Sequence, residues 1–335
     1  MIHFTHQGAP VALPLGETWC LPPLGGTYRD TPVTELTEII RDVSAGQPWR
    51  DAVRTRYAQK NPWLHRIVTS SSRDLFFRLH PPAHGSRILD IGAGWGQLSL
   101  SLAHMGAEVT ALEPTPERLD FIKTAALQEG IADKCHFLQT DFFRIEFETR
   151  FDLALCIGVL EWVPKFREGN PRELQIDFLR RIRQLLNPGA KLVVGIENRV
   201  GLKYLLGAPD DHIALPYITV FDQPLATRKM AEKHGQNLRC FTLSRSEISE
   251  FLQAAGFTAV EYYAALPDYK LPEVIIPLGP LVDEYFQQSH HIPEHSGSNG
   301  ALLPFQEELR SHYKTFSHLG VSSQFVPSFF CVATA

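Results

Sequence analysis

The stretch LDIGAGWGQLSLSLA, residues 89–103, is a short apolar run that ends at Asp90 and Ile91 and breaks into glycines at 92, 94 and 96. Helical apolar spacing follows it at once. A turn this bare, set between a strand and a helix, lets backbone approach a ligand that a Cβ would hold away. It also predicts the fold around it, because strand–glycine turn–helix units build sheets whose ligands lie beyond the carboxyl ends of the strands.

The pattern from Arg87 onward agrees. Strand-like runs RILDI, EVTALE, CHFLQTDFF, FDLALCIGVL and KLVVGIEN alternate with helical segments, as a parallel sheet covered on both faces requires. The helix NPRELQIDFLRRIRQLLNPG opens on Asn170, Pro171 and Glu173, a capping pattern, and Ser244 with Glu247 repeats it in LSRSEISEFLQAAGF. TAVEYYAAL and the terminal PSFFCVATA read as two more strands, the last one inserted into the sheet. The expected class is therefore α/β, Rossmann-like, with a mostly parallel seven-stranded sheet and helices on both faces. We divide the chain into an N-terminal leader and helical extension, 1–85, and a main domain, 86–335, with insertions at about 199–241 and 266–327. Residues 1–30 read as irregular, and HHIPEHSGSNG, within 290–300, as a flexible tip.

The carboxylates beside the glycines choose among ligands. A dinucleotide site favours GxGxxG, with its third glycine where this chain has Gln97. The pattern here is D-x-G-x-G-x-G, from Asp90 to Gly96. An acid two residues before the first glycine is a poor neighbour for a pyrophosphate and a good one for a cation. At this point the chain resembles the class I S-adenosylmethionine-dependent methyltransferases, whose methyl donor carries a sulfonium and an ammonium and no phosphate. The resemblance implies donor contacts from Asp90, Gly92, Ala93, Gly94 and Gly96. It implies ribose contacts from Glu113, with Pro114, and adenine contacts from Asp141 and Phe142. Cys156 and Gly158, in CIGVLEWVP, would wall the methyl-donor pocket.

ENRVGLKYLLGAPDDH (197–212) and LPDYKLPEVIIP (266–277) further resemble methyltransferase domains of bacterial surface-polysaccharide (O-antigen type) gene clusters. That likeness implies O-methylation of a sugar or glycan intermediate. His212 is the candidate general base and Glu197 the alternative. Trp162, Arg199, Lys203, Asp211, Tyr269 and Lys270 are the candidate acceptor contacts. No metal is expected: Asp210, Asp211 and His212 supply few ligands from one short segment, where cation sites draw carboxylates from separate strands. Alternatives are a methyltransferase for another small metabolite, with N or C as acceptor, or a donor-binding module without catalysis.

Composition narrows the classes. With 44% hydrophobic and 21% charged residues the chain reads as soluble and globular. A net charge of −5 speaks against a broad nucleic-acid surface. The five cysteines, at 20, 135, 156, 240 and 331, form no CxxC pair and read as reduced thiols of a cytoplasmic protein. Neither a signal peptide nor a membrane span is expected. A glycosyltransferase partner or a homodimer is the expected association.

Overall fold

The structure, a computed structural model, describes residues 1–22 and 28–335, which form two compact units. The first contains Met1–Ile157, Ile182–Leu192 and Ala335, and the second Gly158–Arg181 and Val193–Thr334.

In the first unit the strands are β1 (Ile2–His6), β2 (Ala9–Leu13), β3 (Thr18–Cys20), β4 (Arg87–Ile91), β5 (Glu108–Leu112), β6 (Cys135–Gln139), β7 (Glu146–Phe147) and β8 (Phe151–Ile157). The helices are α1 (Val33–Ser44), α2 (Trp49–Tyr57), α3 (Pro62–Thr69), α4 (Leu75–Leu79), α5 (Gln97–His104) and α6 (Pro116–Gln128). β4 pairs in parallel with β5 on one side and β8 on the other. β5 pairs with β6, and β6 with β3, also in parallel, giving the order β8-β4-β5-β6-β3. Strand order therefore reverses at β4, and the glycine turn leaves the sheet at that reversal, where a crevice opens by topology alone. Ile88, Leu89 and Ile91 are fully buried, as the uninterrupted apolar run requires. The N-terminal helices belong to the same unit: α1 lies against α6, and Trp49 donates its backbone N–H to Gln128 Oε1 and its indole N–H to Glu129 Oε1, both at 2.7 Å.

The leader is not irregular. β1 and β2 form a hairpin whose central residues, Gln7 and Gly8, have φ of +51° and +77°, the sign that matches strand twist in two-residue turns. β1 also pairs with β7, and β3 joins the large sheet. Only Ile2 and Phe4 of β1 point inward, too short an alternation to stand out. The part of the leader at 23–27 lies outside the described residues.

α7 (Pro171–Leu185) begins in the second unit and runs directly into β9 (Leu186–Glu197), and both elements contribute residues to both units, so the expected stop at Asn187-Pro188-Gly189 falls within the strand. The remaining elements are α8 (Leu202–Leu205), α9 (Gln223–His234), α10 (Arg245–Ala254), β10 (Ala259–Leu266), β11 (Val274–Pro277), α11 (Pro280–Gln288), α12 (Gln306–His318) and β12 (Ser328–Thr334). β12 inserts between β9 and β10, as its apolar run predicts, and β10 is antiparallel to both β12 and β11. All seven expected strands are present, and β3 and β11 are two more, paired with β6 and β10. Ser244 and Glu247 close the capping box of α10. The segment after Asn198 carries its own small core of Leu215, Ile218, Ala226 and Leu238. Within the glycine-rich segment 290–300, His295 is buried and stacks on Tyr313 at 5.7 Å, so this part of it is anchored.

Candidate active site

In the first unit the glycine turn is a cradle. Gly92, Gly94 and Gly96 have φ of +69°, +61° and +75°, a region costly for any residue with a Cβ. The reasons differ by position. A Cβ on Gly96 would run into the Ile122 side chain of α6, so this glycine is required by packing. A Cβ on Gly94 would meet nothing nearer than Gly92 O at 3.9 Å, so the space above it is open. Four amides of the turn already donate within the protein: Gly92 and Ala93 to Leu112 O, Gly96 to Ala93 O, and Gly94 to Glu113 Oε2 at 2.9 Å. A pyrophosphate would have to compete for these donors beside two buried carboxylates, Asp90 and Glu113. A cationic ligand meets no such conflict.

Glu113 is fixed from both oxygens, since Oε1 accepts the Thr115 N–H at 2.9 Å. Each oxygen retains a lone pair for a ligand hydroxyl. Pro114, partly buried, separates the two anchoring points. Asp90 is 3% exposed and accepts a hydrogen bond from Ser99 Oγ at 2.6 Å. Burial pushes its carboxyl up to about 6, against the pull of the Ser99 hydrogen bond. Asp141 follows β6 and caps a short 3-10 turn by accepting the Phe143 N–H at 2.9 Å, with Phe142 buried beside it. Cys156 is buried inside β8.

In the second unit the structure gathers a polar cluster. His212 is not a surface residue: its side chain is 4% exposed and its Nε2 lies 3.4 Å from Glu161 Oε1 and 3.7 Å from Glu197 Oε2. Nδ1 lies 3.6 Å from Asp210 Oδ2, while Asp210 Oδ1 accepts the His212 and Ile213 amides at 2.8 Å and fixes the loop. Trp162 meets the imidazole edge-on at 5.1 Å. Burial pushes the imidazole pKa down, but the Glu197, Asp210 and Glu161 carboxylates together hold it well above the ordinary value. Those three carboxylates favour the charged ring over the neutral one.

Glu161 stands on the 3-10 turn Leu160–Phe166. Gln175 of α7 clamps that turn by donating to Leu160 O at 2.9 Å, and Arg239 donates to Pro164 O at 2.9 Å. Glu161 is fully buried, and neither of its oxygens has a hydrogen-bond partner, nor does Glu197 Oε2. The other Glu197 oxygen takes Lys270 Nζ. Lys203, also buried, pairs with Asp211 at 2.8 Å, and Tyr204 OH donates to the same carboxylate. Burial raises Asp211, but the Lys203 and Lys270 ammonium groups hold it below the usual carboxylate range. Gly158 (φ +70°) leaves room for Tyr269, whose hydroxyl would lie 2.7 Å from a Cβ there.

Arg199 is placed apart from this cluster. It donates to Thr219 O at 2.8 Å, to Glu247 Oε1 at 2.6 Å and to Phe221 O, so its guanidinium is bound within the fold. It borders a cavity of about 210 Å³ that Asp210, Ile213, Gln175, Arg172 and Phe241 also line. Asp268, 3.7 Å from Lys270 Nζ and 4.0 Å from Lys203 Nζ, is a further member of the polar cluster, and with Glu161 and Tyr204 it is not singled out by the sequence. Glu161 carried a sign, being an acid set among Leu160, Trp162 and Val163 in an otherwise apolar run.

Residues 89–194 match a family model described as a methyltransferase domain. The glycine turn and the strands β5, β6 and β8 lie within this match, which spans about a third of the chain. Among curated proteins it is similar to the ubiquinone biosynthesis O-methyltransferase of Xanthomonas axonopodis pv. citri, 33% identical over 43% of this chain and 55% of that one. The protein of the same name from Aeromonas salmonicida is 30% identical over 51% of this chain and 66% of that one. The chain thus spans somewhat more than half of the length of these relatives. Among solved structures, a SAM-dependent methyltransferase from Methanosarcina mazei is 16% identical, with a TM-score of 0.46, over 77% of this chain and 96% of that one. Among the described residues no helix is long and apolar enough to cross a membrane.

Proposed function

We propose that this methyltransferase domain transfers a methyl group to a hydroxyl of a small acceptor, a sugar or glycan intermediate. The observation that carries the donor half is the cradle: open space over Gly94, turn amides already engaged, and two buried acids. When bound, S-adenosylmethionine supplies a methyl group on a sulfonium. Asp90 attracts the donor's positive charge, Glu113 accepts its ribose hydroxyls, and Asp141 with Phe142 holds the adenine. Hydrogen bonds to a charged group contribute about 1.5–3 kcal/mol.

An attacking hydroxyl must lose its proton. Sequence alone favours His212 or Glu197 for that task. His212 is enclosed by three carboxylates and Glu197 is tied to Lys270, whereas Glu161 has no lysine or arginine paired with it and neither of its oxygens has a hydrogen-bond partner among the described residues. We therefore assign the proton to Glu161, with His212 as its positioning residue. A hydroxyl acceptor also agrees with the relatives, which are named for O-methylation. Arg172, Gln175 and Asp210, interleaved with Ile213 and Phe241 around the cavity, suit a polar guest with an apolar ring face. The test is an acceptor screen with labelled methyl donor across nucleotide sugars, lipid-linked sugars, glycans, phenols and amines. Label on a sugar oxygen supports the proposal. Label only on phenol, nitrogen or carbon overturns the acceptor class, and donor binding without transfer to any acceptor overturns catalysis.

A further inference from the structure

Glu161, Glu197 and His212 come from three separate segments: the turn after β8, the end of β9 and the loop after α8. Their ligand atoms all lie within 4.8 Å of one another. Two of those atoms, Glu161 Oε1 and Glu197 Oε2, are buried without a hydrogen bond, as is Glu161 Oε2. Buried carboxylate oxygens without a donor are expensive, and their removal from water demands a compensating charge. Five carboxylates gather here, Glu161, Glu197, Asp210, Asp211 and Asp268, against three basic side chains, Lys203, Lys270 and His212.

We propose that Glu161, Glu197 and His212 bind a divalent cation. Bonds of about 2.1 Å place neighbouring ligand atoms roughly 3.0–3.4 Å apart in octahedral or tetrahedral geometry. The observed separations from His212 Nε2, 3.4 and 3.7 Å, need only a few tenths of an ångström of closure. The surroundings of the ligands fit as well. Asp210 faces the far nitrogen of His212, as carboxylates do behind metal-bound imidazoles, and Lys270 bonds the oxygen of Glu197 other than the one beside His212. Two carboxylates and one imidazole leave coordination positions open and suit Mn²⁺ or Mg²⁺, with Zn²⁺ a competitor. An acceptor hydroxyl would fill one open position, and the second oxygen of Glu161 stays available for its proton. This role rests on the proposed methyl transfer; cation binding itself does not.

The test is titration of chelator-treated protein with Mn²⁺, followed by the loss of the free-ion electron paramagnetic resonance signal. One bound Mn²⁺ per chain is expected, with affinity lowered about tenfold or more in Glu161→Gln and in Glu197→Gln, and unchanged in the exposed-site variant Glu294→Gln. An undiminished free-ion signal with the wild-type protein overturns the proposal, as does binding that both variants leave intact. Calorimetry with S-adenosylhomocysteine runs beside it: Mn²⁺ bound without the nucleoside removes the methyltransferase reading and keeps the cation site, and the converse does the opposite.

Discussion

Asp90 provides a prediction in which one carboxylate is read through both binding and stability. Its carboxyl is buried and sits at about 6 rather than 3.8. A ligand ammonium or sulfonium beside it favours the ionised form, so binding below pH 6 must expel a proton. Affinity for S-adenosylhomocysteine, which keeps the ammonium, is then expected to fall about tenfold between pH 7 and pH 5, about 1.4 kcal/mol, with up to one proton released. Asp90→Asn should abolish this slope and weaken binding at pH 7 by about 1.5–3 kcal/mol, the worth of a charged hydrogen bond. The stability effect has the opposite sense. An acid whose folded pKa is raised favours the fold in its neutral form, so stability falls as pH rises from about 4 to about 6. Above that window the buried charge costs about 3 kcal/mol. Asp90→Asn should therefore be more stable than wild type at pH 7 by up to that amount and equal to it at pH 4, in urea titrations. Calorimetry in buffers of different ionisation enthalpy counts the proton. Equal affinity at pH 5 and 7, no proton released and an unaffected Asn variant would together refute the role given to Asp90.

Four other substitutions probe separate parts of the account. Gly94→Val should fold, with about 1–2 kcal/mol of backbone strain at φ +61°, yet lose roughly a hundredfold or more in affinity for S-adenosylhomocysteine by calorimetry. Gly96→Ala forces its methyl into Ile122 and should cost about 1–3 kcal/mol in urea unfolding. Glu247→Ala removes the α10 capping box and the Arg199 partner together and should cost about 2 kcal/mol in the same assay, with donor affinity unchanged. Glu161→Gln should lower kcat with a transferable acceptor by about 100-fold or more while leaving S-adenosylhomocysteine binding intact, as for a lost general base.

What could be read in advance follows from how local each signal is. The unit from Asp90 to Gly96 is contiguous, and the capping box at Ser244 needs four residues, so both are visible without the fold. Glu113 is legible because the end of the next strand is fixed by topology. The hairpin of β1 and β2 is hidden because its strands are five residues long and its further partner, β7, lies far along the chain. α9 is hidden because only Ala226 of its residues is buried, which leaves no apolar stripe to see. The convergence of Glu161, Glu197 and His212 has no sequence spacing at all, since a 3-10 turn, a strand end and a loop bring them together. Arg199, in the turn after β9, looks like a free cation in sequence because its partner, Glu247, stands on α10, far along the chain.

The central claim is that the turn at residues 92–96 holds a positively charged methyl donor, braced by Asp90 and Glu113. A crystal structure with S-adenosylhomocysteine tests it most directly. The nucleoside is expected over Gly94 with its ribose hydroxyls on Glu113. The ligand bound elsewhere, or a nicotinamide dinucleotide taking that crevice in its place, would contradict it.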